Sequence, residues 1–91
     1  MTKESTIQKN IIDYLRDQGA YVFNVHGSPY QDVGTPDLLV CYEGRFYGFE
    51  VKRPGEKLTV MQKHQVAKVI GAGGVAHRVE KVGDVAEVLR R

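Results

Sequence analysis

The sequence predicts a small α/β fold whose elements follow the order α-β-β-β-α-β-α. Three observations predict it. Apolar residues recur at helical spacing near the amino terminus, two strand-like segments joined by a tight turn occupy the middle, and a second helical segment separates this hairpin from a last strand. No internal repeat or low-complexity tract interrupts this order.

Residues 4–18 are predicted to form an amphipathic helix, and Gly19 follows it as a stop signal. The apolar positions of this helix recur at spacings of three and four: Ile7, Ile11, Tyr14 and Leu15. Residues 20–26 are rich in β-branched and aromatic side chains, which favour a strand. Residues 27–36 contain two glycines and two prolines and are predicted to form a long loop.

Two strands, over residues 37–42 and 45–52, are predicted to form a hairpin around the turn Glu43-Gly44. A polar connection over residues 53–58 follows them. The remaining predicted elements are a helix over 59–70 that ends in a glycine-rich turn, a strand over 75–79, and a short helix over 84–91 capped by Asp84.

The length of 91 residues predicts one small domain over residues 1–91, and its composition of 42% hydrophobic and 26% charged residues excludes a disordered or fibrous chain. A domain of this size has a thin stability margin, so we expect a homodimer. No apolar run approaches the ~20 residues of a membrane span, so we expect a cytoplasmic protein with no membrane partner. Cys41 is the only cysteine; we expect it to be a small core residue.

The net charge of +2 does not by itself indicate a polyanionic ligand. Its distribution is more informative, because six basic residues stand against three acidic ones between Glu43 and Lys68. Such a local excess favours phosphate groups, and its alternative interpretation is a solvated charged surface.

The turn of the hairpin decides which side chains face each other. A two-residue turn at Glu43-Gly44 pairs Tyr42 with Arg45, and the same register places Asp37 opposite Glu50. A three-residue loop instead places Asp37 opposite Val51. Because like charges in opposed positions are destabilising, two carboxylates at this point of a hairpin need a reason.

A metal site supplies such a reason. Lys52 lies two residues beyond Glu50 and therefore on the same face of the strand. Mg²⁺ or Mn²⁺ binds one or two carboxylates and keeps several waters, and a lysine beside it can orient the attacking water or stabilise charge on a phosphate. The alternative is a surface hairpin on which Asp37, Glu50 and Lys52 are all solvated.

The segment Gly34-Thr35-Pro36-Asp37, followed after twelve residues by Glu50-Val51-Lys52, resembles the signature of the PD-(D/E)XK nucleases. The lead-in Glu4-Ser5-Thr6-Ile7-Gln8 and the later Gln62 make the chain resemble one branch, the stand-alone VRR-NUC domains of phages and bacteria. The likeness extends to about Val79. It implies a restriction-endonuclease-like core, with a mixed central sheet flanked by helices.

The same resemblance implies a set of site residues. Asp37 and Glu50 would bind Mg²⁺ or Mn²⁺ together with the backbone carbonyl of Val51, and Lys52 would be the active-site lysine. Glu4 would add an acidic group, through a metal-bound water or as a base. Gln62 would orient water or metal ligands.

Glu4 and Gln62 also have structural interpretations. Glu4 can be an exposed acid that favours the helix dipole, in a first turn where Ser5 and Gln8 form a capping box. Gln62 stands three residues after Thr59, which is capping-box spacing too. Both interpretations stay open beside the catalytic ones.

Further candidates surround this set. Tyr30 and Gln31 lie in the long loop and are predicted to touch substrate, because long loops that lead into catalytic residues are often functional. Arg53, Lys57 and Lys63 are predicted either to contact the DNA backbone or to be solvated. The three histidines lack the spacing of a zinc site.

The residues and the resemblance together predict a metal-dependent endodeoxyribonuclease that cuts branched DNA, such as four-way (Holliday) junctions, as a homodimer. Two alternatives stay open. One is a less selective nuclease for flaps, duplex or single strands, and the other is a non-catalytic DNA-binding module of the same fold.

Overall fold

A computed structural model describes residues 2–27 and 32–91. Its elements in chain order are α1 (Glu4–Asp17), β1 (Tyr21–Asn24), β2 (Leu38–Tyr42), β3 (Arg45–Val51), α2 (Val60–Gly71), β4 (Val75–Val79) and α3 (Val82–Leu89). The predicted order of elements is confirmed. No helix within the described ranges is long and apolar enough to cross a bilayer.

The four strands of the described chain form one sheet in the order β1-β2-β3-β4. β1 and β2 are antiparallel, as are β2 and β3, whereas β3 and β4 are parallel. A parallel pair needs a crossover, and α2 supplies it. The sheet is therefore mixed, as expected.

The central hairpin has the predicted register, from Tyr42 opposite Arg45 to Leu38 opposite Phe49. Its turn residues Glu43 and Gly44 both adopt positive φ angles, of 50° and 77°. Two such residues in succession form the type of tight turn that matches the twist of the flanking strands. The two-residue turn thus fixes the register that the site depends on.

The hydrophobic core lies on one face of the sheet, beneath α1 and α3. Alternation along β3 points Tyr47, Phe49 and Val51 to this face, where each is at most 1% exposed. The core residues from the two helices are Ile7, Ile11, Ile12, Leu15, Val85 and Val88.

The other face of the sheet is covered by α2, and only over β3 and β4. α2 contains no buried residue. The face beyond it is open: Tyr21 is 70% exposed, Phe23 55% and Phe46 45%. Cys41 lies on this face and is exposed, so its predicted place in the core is wrong. It faces Tyr21 on one neighbouring strand and Phe46 on the other.

Two predicted helix caps are also wrong. The amino-terminal cap of α3 is Lys81, and Asp84 lies inside the helix, where its carboxylate accepts a hydrogen bond of 2.9 Å from the backbone N–H of Glu80. α1 begins at Glu4 with Lys3 as its cap, so Ser5 is already helical and does not cap the helix with Gln8. In both cases the helix starts before the polar residue that was expected to cap its start.

Gly34 lies where the loop before β2 packs against the first turn of α2. Its φ angle is 85°, and a Cβ atom at this position would lie 2.6 Å from the backbone carbon and oxygen of Met61. Only glycine allows this approach without displacing the helix. The loop that leads into Asp37 is therefore packed directly on the helix that carries Gln62.

Candidate active site

Asp37 and Glu50 meet where β2 begins and β3 ends. Asp37 directly precedes β2, and continuing the hairpin register places it opposite Glu50. The Oδ2 atom of Asp37 accepts a hydrogen bond of 2.8 Å from the backbone N–H of Val51. Glu50 is 2% exposed and is the one buried charged residue in the described part of the chain. Two carboxyl groups thus share a site in which one is fully desolvated.

Burial raises the pKa of the Glu50 carboxyl to about 8, and the negative charge of Asp37 contributes further to this rise. The ammonium group of Lys52 acts in the opposite direction. When Glu50 is ionised its buried Oε2 atom has no donor among the described residues, whereas the protonated carboxyl can donate to Asp37, which contributes to the raised pKa. A buried carboxyl oxygen without a donor is costly, and a bound cation would remove that cost.

Lys52 follows the last residue of β3 and is half-buried. Its backbone N–H donates a hydrogen bond of 2.9 Å to the carbonyl of Val79, which extends the pairing with β4 by one residue. Lys52 lies two residues beyond Glu50 on the same face of the strand, and its charge opposes the rise in the pKa of the Glu50 carboxyl. The structure therefore brings Asp37, Glu50 and Lys52 together.

Gln62 both caps the start of α2 and contacts Glu50, a predicted metal ligand. Its Oε1 atom accepts a hydrogen bond of 2.8 Å from the backbone N–H of Thr59. The backbone N–H of Gln62 donates to Thr59 Oγ1 at 3.1 Å, so the capping box is formed. Its Nε2 group donates to Oε1 of Glu50 at 3.2 Å. One side chain thus fixes the start of α2 and holds one oxygen of the buried carboxyl.

Glu4 is the first residue of α1, and its side chain is exposed. Its negative charge makes the smallest contribution to the raised pKa of Glu50. Glu4 is thus the weakest of the charges acting on Glu50, and it occupies the helix turn that favours an acidic residue. The catalytic and the helix-dipole interpretations are compatible here.

The donor set suits a hard divalent cation. No group of three or more His, Cys, Asp or Glu side chains that could hold a metal occurs in residues 2–27 and 32–91. Two carboxylates and a carbonyl are sufficient for Mg²⁺, which usually keeps several waters. The N–H and C=O groups of one strand residue point the same way, so the carbonyl of Val51 faces the side where its N–H meets Asp37.

The predicted DNA contacts have different surroundings. Arg53 is half-buried and donates from its side-chain Nε to Glu56 Oε1 at 3.1 Å. Lys57 and Lys63 are exposed and line a cleft of about 380 Å³ that Arg78 also borders. Tyr30 and Gln31 lie outside the described residues, so their predicted contact with substrate stays a prediction.

Comparison with known proteins concerns the whole of this architecture. No protein-family model and no curated protein matches the sequence. A solved VRR_NUC domain superposes with a TM-score of 0.80 at 24% identity, covering 100% of this chain and 98% of that one. A second VRR_NUC domain protein gives 0.75 at 21% identity, with coverages of 98% and 86%.

The chain has the VRR-NUC domain fold. A third solved structure, of Archaeoglobus fulgidus Hjc, a Holliday junction resolvase from an archaeal hyperthermophile, superposes with a TM-score of 0.67 at 20% identity. It covers 85% of this chain and 67% of that one. The fold expected from the sequence signature is thus confirmed.

Two residues that support the site within this VRR-NUC fold were missed in the sequence. Gly34 allows the loop before Asp37 to pack on α2, and a glycine just before the Pro-Asp pair was its available signal. Arg78 contacts the segment between Lys52 and α2. It had no sequence signal, because its partners lie 22 and 25 residues away along the chain.

Proposed function

We propose that this protein is a divalent-metal-dependent endodeoxyribonuclease. The observation that carries the proposal is the apposition of Asp37 with the buried Glu50, whose Oε2 atom lacks a donor. A purely structural hairpin has no use for two opposed carboxyls, one of which is desolvated. A cation held by both carboxyls would offset their charges and explain why the pair is present.

The residues divide the chemistry among them. Asp37, Glu50 and the Val51 carbonyl would hold Mg²⁺ or Mn²⁺, which supplies an activated water and stabilises charge on the phosphate. Lys52 presents a positive charge beside the reacting phosphate. Gln62 holds one oxygen of Glu50 and would leave the other to bind the cation. Glu4 would accept a proton or a hydrogen bond from water.

The proposed substrate is branched DNA, such as a four-way junction. Support comes from the fold shared with a protein named as a Holliday junction resolvase. Lys57 and Lys63 lie exposed on a cleft that Arg78 borders, on the side of the sheet where α2 lies, and can contact backbone phosphates. Selectivity for branched DNA rather than flaps, duplex or single strands is the finer part of this proposal.

A homodimer is also part of the proposal, and the open face beside α2 supports it. The row Tyr21, Cys41 and Phe46 crosses three adjacent strands without a charged side chain. An exposed apolar row of this kind can pack against its own copy across a two-fold axis, whereas a DNA backbone requires basic groups. A two-fold dimer carries two sites, which suits a junction that needs two symmetric cuts.

The testing experiment is cleavage of end-labelled four-way junction, flap, linear duplex and single strand by purified protein in Mg²⁺, Mn²⁺ or EDTA. We expect paired nicks in the junction with either metal and none in EDTA. Asp37→Asn should lower the rate by at least about 10³-fold, because the amide keeps the hydrogen bond from Val51 but loses the charge that holds the cation.

The outcomes separate the alternatives. Cutting of all four DNAs at similar rates would favour a less selective nuclease, and binding without cutting in either metal would favour a DNA-binding module. Unchanged cleavage by Asp37→Asn would refute the site assignment. Sedimentation equilibrium of the same preparation tests the dimer, and a monomer at micromolar concentration would remove it from the proposal.

A further inference from the structure

We infer that Arg78 is a positioning residue that holds residues 53–56 in place and thereby fixes the spacing between Lys52 and Gln62. The inference rests on the proposed function, since it assigns Arg78 to the same site. Arg78 lies on β4 directly opposite Glu50 on β3. Its side chain is 26% exposed, so much of the guanidinium is enclosed by protein.

Every nitrogen of the Arg78 guanidinium has a partner. Nε donates to the carbonyl of Glu56 at 2.7 Å, and Nη2 donates to the carbonyl of Arg53 at 3.2 Å. Nη1 pairs with Glu80 Oε2 at 2.7 Å. Two of these three contacts are to backbone carbonyls of one short segment. Arg78 therefore holds the backbone of residues 53–56, whichever side chains this segment carries.

That segment is a tight turn over residues 53–56. The N–H of Glu56 donates to the carbonyl of Arg53 at 3.1 Å, and Gly55 has a φ angle of 85°. Proline followed by glycine at the two central positions favours this turn. The Glu56 carboxylate closes it further by accepting from the N–H of Arg53 at 2.8 Å. The carbonyl of Arg53 thus accepts from both Glu56 and Arg78.

The turn lies between the elements that carry the site. It begins one residue after Lys52 and ends three residues before Thr59, the cap of α2, whose first turn contains Gln62. Pro54 lines a cleft together with Thr2 and Ile7, so the turn also lies near the start of α1. Its position therefore affects the placement of Lys52, Gln62 and Glu4 together.

Arginine suits this role and lysine does not. The guanidinium presents several donors in a rigid plane, which can reach two carbonyls and a carboxylate at once. A lysine ammonium retains the charge, but its flexible stem does not reproduce this geometry. Arg78→Lys therefore removes the positioning while keeping the charge, and Arg78→Gln removes both.

The experiment compares Arg78→Lys and Arg78→Gln with the matched control Arg45→Gln, which removes a strand arginine that donates to a single carbonyl, that of Arg91. Hydrogen exchange is measured at the amides of Arg53 and Glu56 and along β4. We expect at least a tenfold loss of protection at the two turn amides in both Arg78 variants. Protection along β4 and in Arg45→Gln should stay at the wild-type level.

The kinetic readout uses the junction substrate with saturating Mg²⁺. We expect kcat to fall about 10- to 100-fold in both Arg78 variants with KM changed less than twofold, because a misplaced group costs rate more than binding. Arg45→Gln should match the wild type. Full rescue by Arg78→Lys would overturn the inference, because charge alone would then suffice.

Two other results would overturn it as well. Unchanged protection at Arg53 and Glu56 would mean that Arg78 does not hold the turn, and equal loss of protection throughout the chain would mean a general role in folding. The exchange measurement does not depend on catalysis. If the wild-type protein cuts no DNA, the proposed function fails, while the exchange data still report whether Arg78 holds the turn.

Discussion

The two faces of the sheet are built from the same strands and differ in almost everything else. Towards α1 and α3, β3 presents Tyr47, Phe49 and Val51, all at most 1% exposed. Towards α2 the same strand presents Phe46, Gly48 and Glu50: an exposed ring, a glycine at which a Cβ would lie 3.1 Å from Cγ of Pro36, and a buried carboxyl. Strand alternation alone produces this division.

The difference teaches where this small domain obtains its stability and where it can tolerate strain. Apolar burial under α1 and α3 stabilises the folded state, whereas the burial of a carboxyl opposite Asp37 destabilises it. α2 has no buried residue, so it adds little apolar burial to offset that cost. The proposed site lies on the weakly packed face, and the opposite face supplies the stability.

The largest expected effect on stability comes from truncating the core face. Phe49→Ala should lower the free energy of unfolding by about 3–5 kcal/mol, because it removes a fully buried ring that stacks on Tyr47 with centroids 5.8 Å apart. Phe46→Ala, on the other face, should cost under about 1 kcal/mol in dilute solution. Chemical denaturation of both variants measures this, and equal costs would break the comparison between the faces.

The sequence predicted the hairpin and the carboxyl pair because both depend on local rules. A two-residue turn at Glu43-Gly44 determines the register, and the register determines that Asp37 faces Glu50. The metal-site and lysine roles of these residues were predicted from the opposed carboxyls and from the resemblance, and they stay predictions. The fold itself needed only the order and type of the elements, which periodicity indicates well.

What the sequence did not predict depends on contacts between distant segments. Cys41 was expected in the core because its strand is apolar, but the sheet is covered only in part by α2 and leaves that face open. Arg78 has partners in a segment more than twenty residues away. Asp84 carries a typical capping side chain, yet packing of Val82 and Val85 against the core starts the helix earlier.

The next largest expected effect is a pH dependence of stability, and it arises from Glu50 on the face towards α2. The folded pKa of Glu50, about 8, lies above its unfolded value of 4.5, so the folded state keeps a proton that the unfolded state loses. Without metal, stability should therefore fall as pH rises from about 4.5 to about 8. Glu50→Gln should remove this slope and be more stable than the wild type at pH 8, by a few kcal/mol.

Denaturation at a series of pH values in EDTA measures the slope. The matched control is Glu43→Gln, which neutralises an exposed carboxylate at the other end of the same hairpin and should leave the slope unchanged. A wild-type protein whose stability is flat across this window would mean that Glu50 is not held protonated. Adding Mg²⁺ should stabilise the wild type at pH 8 and leave Glu50→Gln nearly unaffected.

The smallest effect separates the two contacts of Gln62. Thr59→Ala removes the cap and should cost about 1 kcal/mol of stability, while the hydrogen bond from Gln62 to Glu50 and the cleavage rate are retained. Gln62→Ala should cost a similar amount of stability and also lower the cleavage rate about tenfold, because Glu50 loses the donor that orients it. Denaturation and single-turnover cleavage of both variants measure the two effects separately. Equal cleavage rates in the two variants would show that Gln62 serves only to begin the helix, and the polar face would then contain one functional residue fewer than proposed.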